Sequence, residues 1–285
     1  MPKPLIFGLI GHPVAQSLSP RLHEAAFKYS GLQGEYKLFD IVPSELGKRL
    51  TDLIASGVNG LNVTIPHKQA VYDIVQGRSL EAERVGALNA VKVLPNGRLE
   101  GHNTDLEGLK LALKQIQSSD FAGKNALLLG AGGAALAAAA AVYDLGFSKL
   151  RVLARNPERQ GAFIDFVQQR WLSCQPSHRA IVIEPDCPDF WNEPALVINA
   201  TSIGLTDEPP PVWMTELVAK LPADCLCFDM VYRKNNSLPT FVRLAHEREL
   251  KNLAGLDMLV HQARLSFQYW TGIAVPFEYM KQAAL

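Results

Sequence analysis

The stretch NALLLGAGGAALAAAAAVYD, residues 125–144, changes character at its glycines. Before them stands a short apolar run, the pattern of a strand covered on both faces. After them, alanines allow a helix to pack closely on a sheet. Gly130, Gly132 and Ala135 fall on the G-x-G-x-x-G/A spacing between that strand and that helix. Each position has a physical task. Gly130 turns the chain tightly, Gly132 lets backbone approach a pyrophosphate, and the small Ala135 lets helix lie on strand. The helix start offers unpaired N–H groups to phosphate oxygens. Together these features point to a dinucleotide-binding unit.

The choice of dinucleotide is legible about 20 residues further on, at the end of the next strand. An NAD site places a carboxylate there for the ribose diol. Here LRVLARNPER (150–159) ends its strand at Ala154, and Arg155 and Arg159 follow. A guanidinium grips a 2′-phosphate through charge-assisted, bidentate hydrogen bonds. The pattern favours NADP.

Working outward, apolar runs alternate with helical patterns. PLIFGLIG, EYKLFDI and GLNVTIP read as strands, and SPRLHEAAFKYSG and SELGKRLTDLIASG as helices. Ser19 reads as the cap of the first helix, with Pro20 at its first position. This rhythm predicts a mostly parallel sheet covered on both faces. NAVKVLPNGRLEGHNTD (89–105) interrupts it as a hairpin turning at Asn96-Gly97. A helix over DLEGLKLALKQIQ follows. KLRVLAR, ALVINATS, CLCFDMVY and ELKNLAG then supply further strands, and one more short strand lies within residues 173–194. Two α/β domains are expected, joined near residues 105–118.

The 285 residues carry 28 Lys plus Arg and 28 Asp plus Glu, without a long run of either sign. Nucleic acid and anionic membrane are thus unexpected partners, since both require clustered positive charge. No segment reaches the roughly 20 apolar residues of a membrane span. The apolar run in MPKPLIFGLIG is too short for a signal peptide. Cys174, Cys187, Cys225 and Cys227 lack metal-type spacing and read as core thiols of a reducing compartment. A cytoplasmic protein without a metal is expected.

Lys68 closes GLNVTIPHK (60–68), where an open α/β sheet presents its ligands. Asn103, Thr104 and Asp105 follow the hairpin, and Ser17 lies in the loop after the first strand. A lysine beside a carboxylate can carry the proton that accompanies hydride transfer. His12, His67 and His102 read as structural or exposed, and Trp270 as packing.

GHPVAQSLSPRLHEAAF, NVTIPHK, GALNAV, GHNTDLEG, GAGGAALA, NATSIGL, DMVY and GLDMLVHQARLSFQYWTG occur in this order along the chain. In order and spacing they resemble the shikimate dehydrogenase family over essentially the whole length. The resemblance implies a two-domain enzyme that reduces 3-dehydroshikimate to shikimate with NADPH, in chorismate and aromatic amino-acid biosynthesis. It assigns residues 1–105 plus 258–285 to an open, mostly parallel α/β substrate domain. Residues 106–257 become a Rossmann-like NADP-binding domain. By motif, Ser17 and Ser19 hold the substrate carboxylate, with Tyr232 near it. Thr64, Asn89, Asp105 and Gln262 bind ring hydroxyls, and Lys68 exchanges the proton beside Asp105. Gly130, Ala131, Gly132, Gly133 and Ala134 cradle the pyrophosphate. Ala154, Arg155, Asn156 and Arg159 cover the 2′-phosphate, and Thr201, Met230 and Gly255 complete the cofactor side. A homodimer is a candidate assembly.

The chain departs from the family at Gln16 for His, Ala90 for Thr, Leu106 for Gly and Ala154-Arg155-Asn156 for Asn-Arg-Thr, and RKNNSLP lacks an early proline. None of these removes a catalytic group. The competing readings are a quinate/shikimate dehydrogenase with relaxed substrate or NAD use, and a dinucleotide sensor without turnover. Intact Lys68 and Asp105 weigh against the sensor.

Overall fold

The computed structural model describes residues 3–116, 121–174, 182–185, 189, 191–234 and 237–285. The chain forms two compact units, Met1–Ala112 with Asp257–Leu285, and Leu113–Leu256.

In the first unit, β1 (Leu5–Gly11), β2 (Gly34–Asp40), β3 (Gly60–Val63), β4 (Gly77–Arg78), β5 (Ala90–Val93) and β6 (Leu99–His102) form one sheet. Its order is β2-β1-β3-β5-β6-β4. β1 runs parallel to β2 and β3, while β5 is antiparallel to both β3 and β6. The hairpin therefore reverses direction within an otherwise parallel sheet, which becomes mixed. α2 (Leu46–Ala55) lays Leu46, Leu50 and Leu53 into a core with Ile10, Leu61, Val71 and Val91. Near the end of α10 (Leu256–Thr271), Trp270 packs where β3 has Gly60; a Cβ on that glycine would lie 2.8 Å from Nε1. The same Nε1 donates to the Val91 carbonyl at 2.9 Å. Trp270 is a packing residue, as expected, and the last helices complete this unit.

Several local details differ from the sequence reading. α1 (Ser19–Ser30) begins with Ser19 inside it, so Ser19 does not cap. The Ser17 hydroxyl instead accepts the Ser19 N–H at 3.2 Å, and Pro20 has no N–H that needs a cap. The hairpin turns one residue earlier than expected. Gly97 N–H donates to the Leu94 carbonyl at 2.8 Å, placing Pro95 and Asn96 at the corners and Gly97 at φ +78°. That is a three-residue loop with glycine in the left-handed position, because proline fixes the first corner. α3 (Lys68–Ile74) and α4 (Leu80–Val85) have only seven and six residues, too few to show a helical period.

The second unit holds β7 (Asn125–Leu129), β8 (Lys149–Leu153), β9 (Val182–Pro185), β10 (Leu196–Asn199), β11 (Leu226–Asp229) and β12 (Lys251–Leu253). All are parallel, in the order β12-β11-β10-β7-β8-β9. This is the two-half dinucleotide-binding sheet, with its switch point beside β7. α6 (Gly133–Asp144) covers it, with Ala135 to Val142 all buried. α5 (Asp105–Ile116) carries the chain out of the first unit, α7 (Pro157–Cys174) follows β8, and α8 (Val212–Lys220) and α9 (Thr240–Glu247) precede β11 and β12. Cys225 and Cys227 are buried free thiols. Cys187 and the side chain of Cys174 lie outside the described residues. Among the described residues no helix is long and apolar enough to cross a membrane.

Candidate active site

One edge of the first sheet gathers the polar residues. Ile10 pairs with Val63 across the parallel strands β1 and β3, so both chains leave the sheet on the same side. The antiparallel strand β5 enters there, with Asn89 carbonyl accepting the Val63 N–H at 2.9 Å. β6 leaves there, and His102 carbonyl accepts the Asn89 N–H at 3.1 Å. The sheet thus brings residues 11–19, 64–68, 89 and 103–105 to one rim, whatever their separation in sequence.

Lys68 is the first residue of α3 and Asp105 the first of α5. Lys68 Nζ donates to Asp105 Oδ2 at 2.5 Å, both side chains being nearly buried. A lysine at a helix start faces the positive end of the backbone dipole, so an adjacent carboxylate offsets its charge. Asn89 Nδ2 donates to the second oxygen of Asp105 at 2.9 Å and to Thr104 Oγ1 at 2.9 Å. It also lies 3.3 Å from Gln262 Oε1, on α10. Lys68, Asp105, Asn89 and Gln262, proposed from sequence, therefore form one hydrogen-bonded group.

Behind them stands a support that the sequence reading missed. Thr104 Oγ1 reaches the Gln262 carbonyl and Ser266 Oγ, each at 3.1 Å. Ser266 in turn accepts from Asn62 Nδ2 at 2.9 Å, and Asn62 Oδ1 accepts the Tyr36 hydroxyl at 2.8 Å. All five of these residues are buried. Paired polar groups in low dielectric hold one geometry, because an unmade bond there costs its full desolvation. Two signals were available: a polar Asn62 within a buried strand, and Ser266 one helical turn beyond Gln262.

Ser17 and Thr64 are half-buried on the rim, and Ser19 is buried. Because Ser17 Oγ accepts from the Ser19 backbone, its hydroxyl hydrogen stays available as a donor. Thr64 is anchored by its own N–H to the Ile10 carbonyl at 2.9 Å. His67 and His102 make structural hydrogen bonds, and His12 is exposed. His67 Nε2 bonds to the Ile41 carbonyl at 2.7 Å. His102 Nδ1 bonds to Ser79 Oγ at 2.7 Å, and burial keeps its pKa below the usual imidazole range against the pull of Glu81. His12 Nδ1 pairs with Asp40 at 2.5 Å on the exposed rim.

In the second unit, Gly130 turns at φ +113°, and a Cβ there would stand 3.0 Å from the Ala200 carbonyl oxygen. Gly132 is the exposed N-cap of α6, and a Cβ on it would meet nothing within 4 Å. Ala131, Gly133 and Ala134 beside it are half-buried. This open backbone at a helix start of twelve residues fits a pyrophosphate. After β8, Ala154 N–H donates to Gln160 Oε1 at 2.9 Å, and Asn156 Oδ1 accepts the Arg159 N–H at 3.0 Å. Arg155 and Arg159 are exposed, with no ion pair to either guanidinium among the described residues. Two free cations and no carboxylate at the strand end fit a 2′-phosphate.

Thr201 donates its hydroxyl to Asn199 Oδ1 at 2.6 Å and accepts the Ile203 N–H at 3.1 Å, so that hydroxyl is spent within its own turn. Gly255 sits against the backbone of Met230, where a Cβ would lie 2.4 Å from the carbonyl oxygen. Tyr232 is half-buried after β11, in the second unit.

Two family models match the two lengths of chain that build the first unit. The family described as the shikimate dehydrogenase substrate binding domain matches residues 9–91. The shikimate 5′-dehydrogenase C-terminal domain matches residues 255–285. The shikimate dehydrogenase (NADP(+)) of Symbiobacterium thermophilum is 38% identical, across 98% of this chain and 93% of that protein. Shikimate 5-dehydrogenase from Thermus thermophilus, solved in complex with NADP(H) and shikimate, superposes with a TM-score of 0.81 at 34% identity. The match covers 98% of each chain. Quinate dehydrogenase from Corynebacterium glutamicum, solved in complex with NAD, superposes at 0.83 with 27% identity, again over 98% of each. With its motifs, its two sheets and a relative of this identity over nearly its whole length, the chain belongs to the shikimate dehydrogenase family.

Proposed function

We propose that this chain is an NADP-dependent oxidoreductase that reversibly reduces 3-dehydroshikimate to shikimate, within aromatic amino-acid biosynthesis. The Lys68–Asp105 pair, tied through Asn89 to Gln262 on one sheet rim, carries the reading. The relatives named for this activity with NADP(+), and the solved complex with NADP(H) and shikimate, support it.

In this reading the first unit binds substrate. Ser17 and Ser19 donate hydroxyls to its carboxylate. Thr64, Asn89, Asp105 and Gln262 take the ring hydroxyls. NADPH, when bound, supplies the hydride that reduces the carbonyl carbon. Lys68 gives its proton to the carbonyl oxygen, so that carbonyl becomes alcohol; in the reverse direction its amine takes that proton back. Asp105 accepts the Lys68 hydrogen bond, aims the ammonium and stabilises its charge. The second unit holds the cofactor through residues 130–134 and the 154–159 segment, with Thr201 on the cofactor side and Met230 and Gly255 at its nicotinamide end.

The test is a matrix of 3-dehydroshikimate, shikimate and quinate against NADP(H) and NAD(H), following nicotinamide absorbance with pure protein. The highest kcat/KM is expected for the shikimate pair with NADP(H). Preference for quinate with NAD would replace this reading by the quinate one. Light scattering at twice the mass of one chain supports the homodimer, and fractionation of the native cell tests residence in the cytoplasm.

A further inference from the structure

Asn199 and Asp229 occupy matched positions on the neighbouring strands β10 and β11, each fully buried at the strand end. Polar side chains side by side in a sheet interior are costly unless paired, and this pair makes an unusual number of bonds. Asn199 Nδ2 donates to Asp229 Oδ1 at 3.0 Å and to the Ile203 carbonyl at 3.2 Å. Asn199 Oδ1 accepts both the Thr201 N–H, at 3.1 Å, and the Thr201 hydroxyl. Asp229 Oδ1 also accepts the Val231 N–H at 2.9 Å. The Asn199 backbone carbonyl takes the Met230 N–H at 2.9 Å. Two side chains thereby fix both loops that leave β10 and β11.

Those loops seat the neighbouring turns. Gly130 rests against Ala200 and Thr201, and Gly255 rests against Met230. The exits of β7, β10, β11 and β12 thus refer their backbone positions to the Asn199–Asp229 pair, directly or through Ala200, Thr201 and Met230. We propose that Asn199 and Asp229 are a positioning pair that sets the shape of the NADP(H) site, and through it cofactor affinity. The inference rests on the cofactor reading given above.

The remaining Asp229 oxygen, Oδ2, is buried with no hydrogen-bond partner among the described residues. Burial pushes the carboxyl up to about 7, against the Val231 N–H, Asn199 and Arg233. Only Oδ1 is used in hydrogen bonding, and an amide has the same shape. Asp229→Asn therefore preserves the working oxygen, whereas Asp229→Ala removes it.

The experiment is titration of the full chain with NADPH, followed by nicotinamide fluorescence, beside steady-state kinetics. Asn199→Ala and Asp229→Ala are each expected to weaken NADPH binding at least about tenfold, as the loss of two or more buried hydrogen bonds implies. The KM for 3-dehydroshikimate at saturating NADPH stays near wild type, and Asp229→Asn restores NADPH affinity. Alanine variants that bind NADPH like wild type, or that lose both ligands together, overturn the pair's role. Should they fail to fold, Thr201→Val is expected to weaken NADPH binding in the same direction by a smaller factor, because it removes the hydroxyl bond to Asn199 Oδ1 and leaves the bonds from Asn199 to the Thr201 N–H and the Ile203 carbonyl in place. Its unchanged affinity for NADPH is equally fatal to the idea. A wild-type chain that binds no NADPH defeats the cofactor reading itself; a binding wild type with indifferent variants defeats this pair alone.

Discussion

Asp105 divides its two oxygens, taking Lys68 Nζ on Oδ2 at 2.5 Å and Asn89 Nδ2 on Oδ1 at 2.9 Å. One carboxylate thus joins the residue proposed to move the proton to a residue proposed to hold the substrate. Binding and proton transfer are coupled through a side chain that cannot shift towards one partner without loosening the other.

Replacing Lys68 by Ala removes the proton carrier without opening the core. We expect kcat to fall by about 10²- to 10⁴-fold, the usual worth of a positioned acid–base group, with the circular dichroism spectrum unchanged. Asp105→Asn leaves the ammonium in place but unaimed, and should fall between wild type and Lys68→Ala. Steady-state kinetics of all three proteins decides this.

Thr104→Val keeps the side-chain shape and deletes the hydroxyl that joins Asn89, Gln262 and Ser266. Buried partners left unsatisfied should cost about 1–3 kcal/mol of stability. The KM for shikimate should rise while that for NADP stays put. Equal changes in both constants would show that Thr104 serves the fold at large rather than the substrate rim.

The exposed Arg155 and Arg159 are expected to distinguish the two nicotinamide dinucleotides. Replacing both by Ala should raise the KM for NADPH about 10- to 100-fold, since each charge-assisted hydrogen bond is worth roughly 1.5–3 kcal/mol before solvent screening reduces it. The KM for NADH, which lacks the 2′-phosphate, should barely move. A parallel loss with both cofactors would place the arginines elsewhere.

His23 predicts an acid limit. Its ring stacks on Tyr36 at 4.2 Å, and neither ring nitrogen has a hydrogen-bond partner among the described residues. Burial pushes its pKa from 6.5 down to about 3, against a smaller opposing effect of the Asn62 side chain. The unfolded chain therefore binds the proton first. Stability from this group is complete above pH 6.5, erodes as pH falls, and is lost through about pH 3. In between, its contribution to the slope is about 1.4 kcal/mol per pH unit. His23→Leu should flatten the urea-unfolding midpoint plotted against pH from 6.5 to 4. An unchanged slope would assign the acid sensitivity to other groups.

Much of this was legible in the sequence because period and punctuation are local properties. The glycine spacing at 130–135 and the apolar runs located β7, β8, β10 and β11 together with the helices between them. Lys68 and Asp105 were legible as chemistry because each stands beside a strand exit. What escaped was either short or distant. α3 and α4 are too brief for periodicity, so Lys68 read as the end of a loop rather than the start of a helix. Ser19 looked like a cap because the bond from Ser17 depends on backbone geometry. The Tyr36–Asn62–Ser266–Thr104 support joins positions scattered over the whole chain, and only strand pairing and the return of α10 bring them together. Asp229 lay inside the strand pattern CLCFDMVY, and nothing local announced its partner thirty residues upstream.

The first unit is built from two separated lengths of chain, and this sets an order of events on the ribosome. Residues 113–256 emerge in full before Gln262, Ser266 and Trp270 do. Until Trp270 arrives, the floor of β3 at Gly60 lies uncovered, and Asn89 and Thr104 lack two of their buried partners. A nascent polypeptide can thus finish its second unit while the first is still incomplete, and the later arrival of Gln262, Ser266 and Trp270 completes the hydrogen-bonded rim.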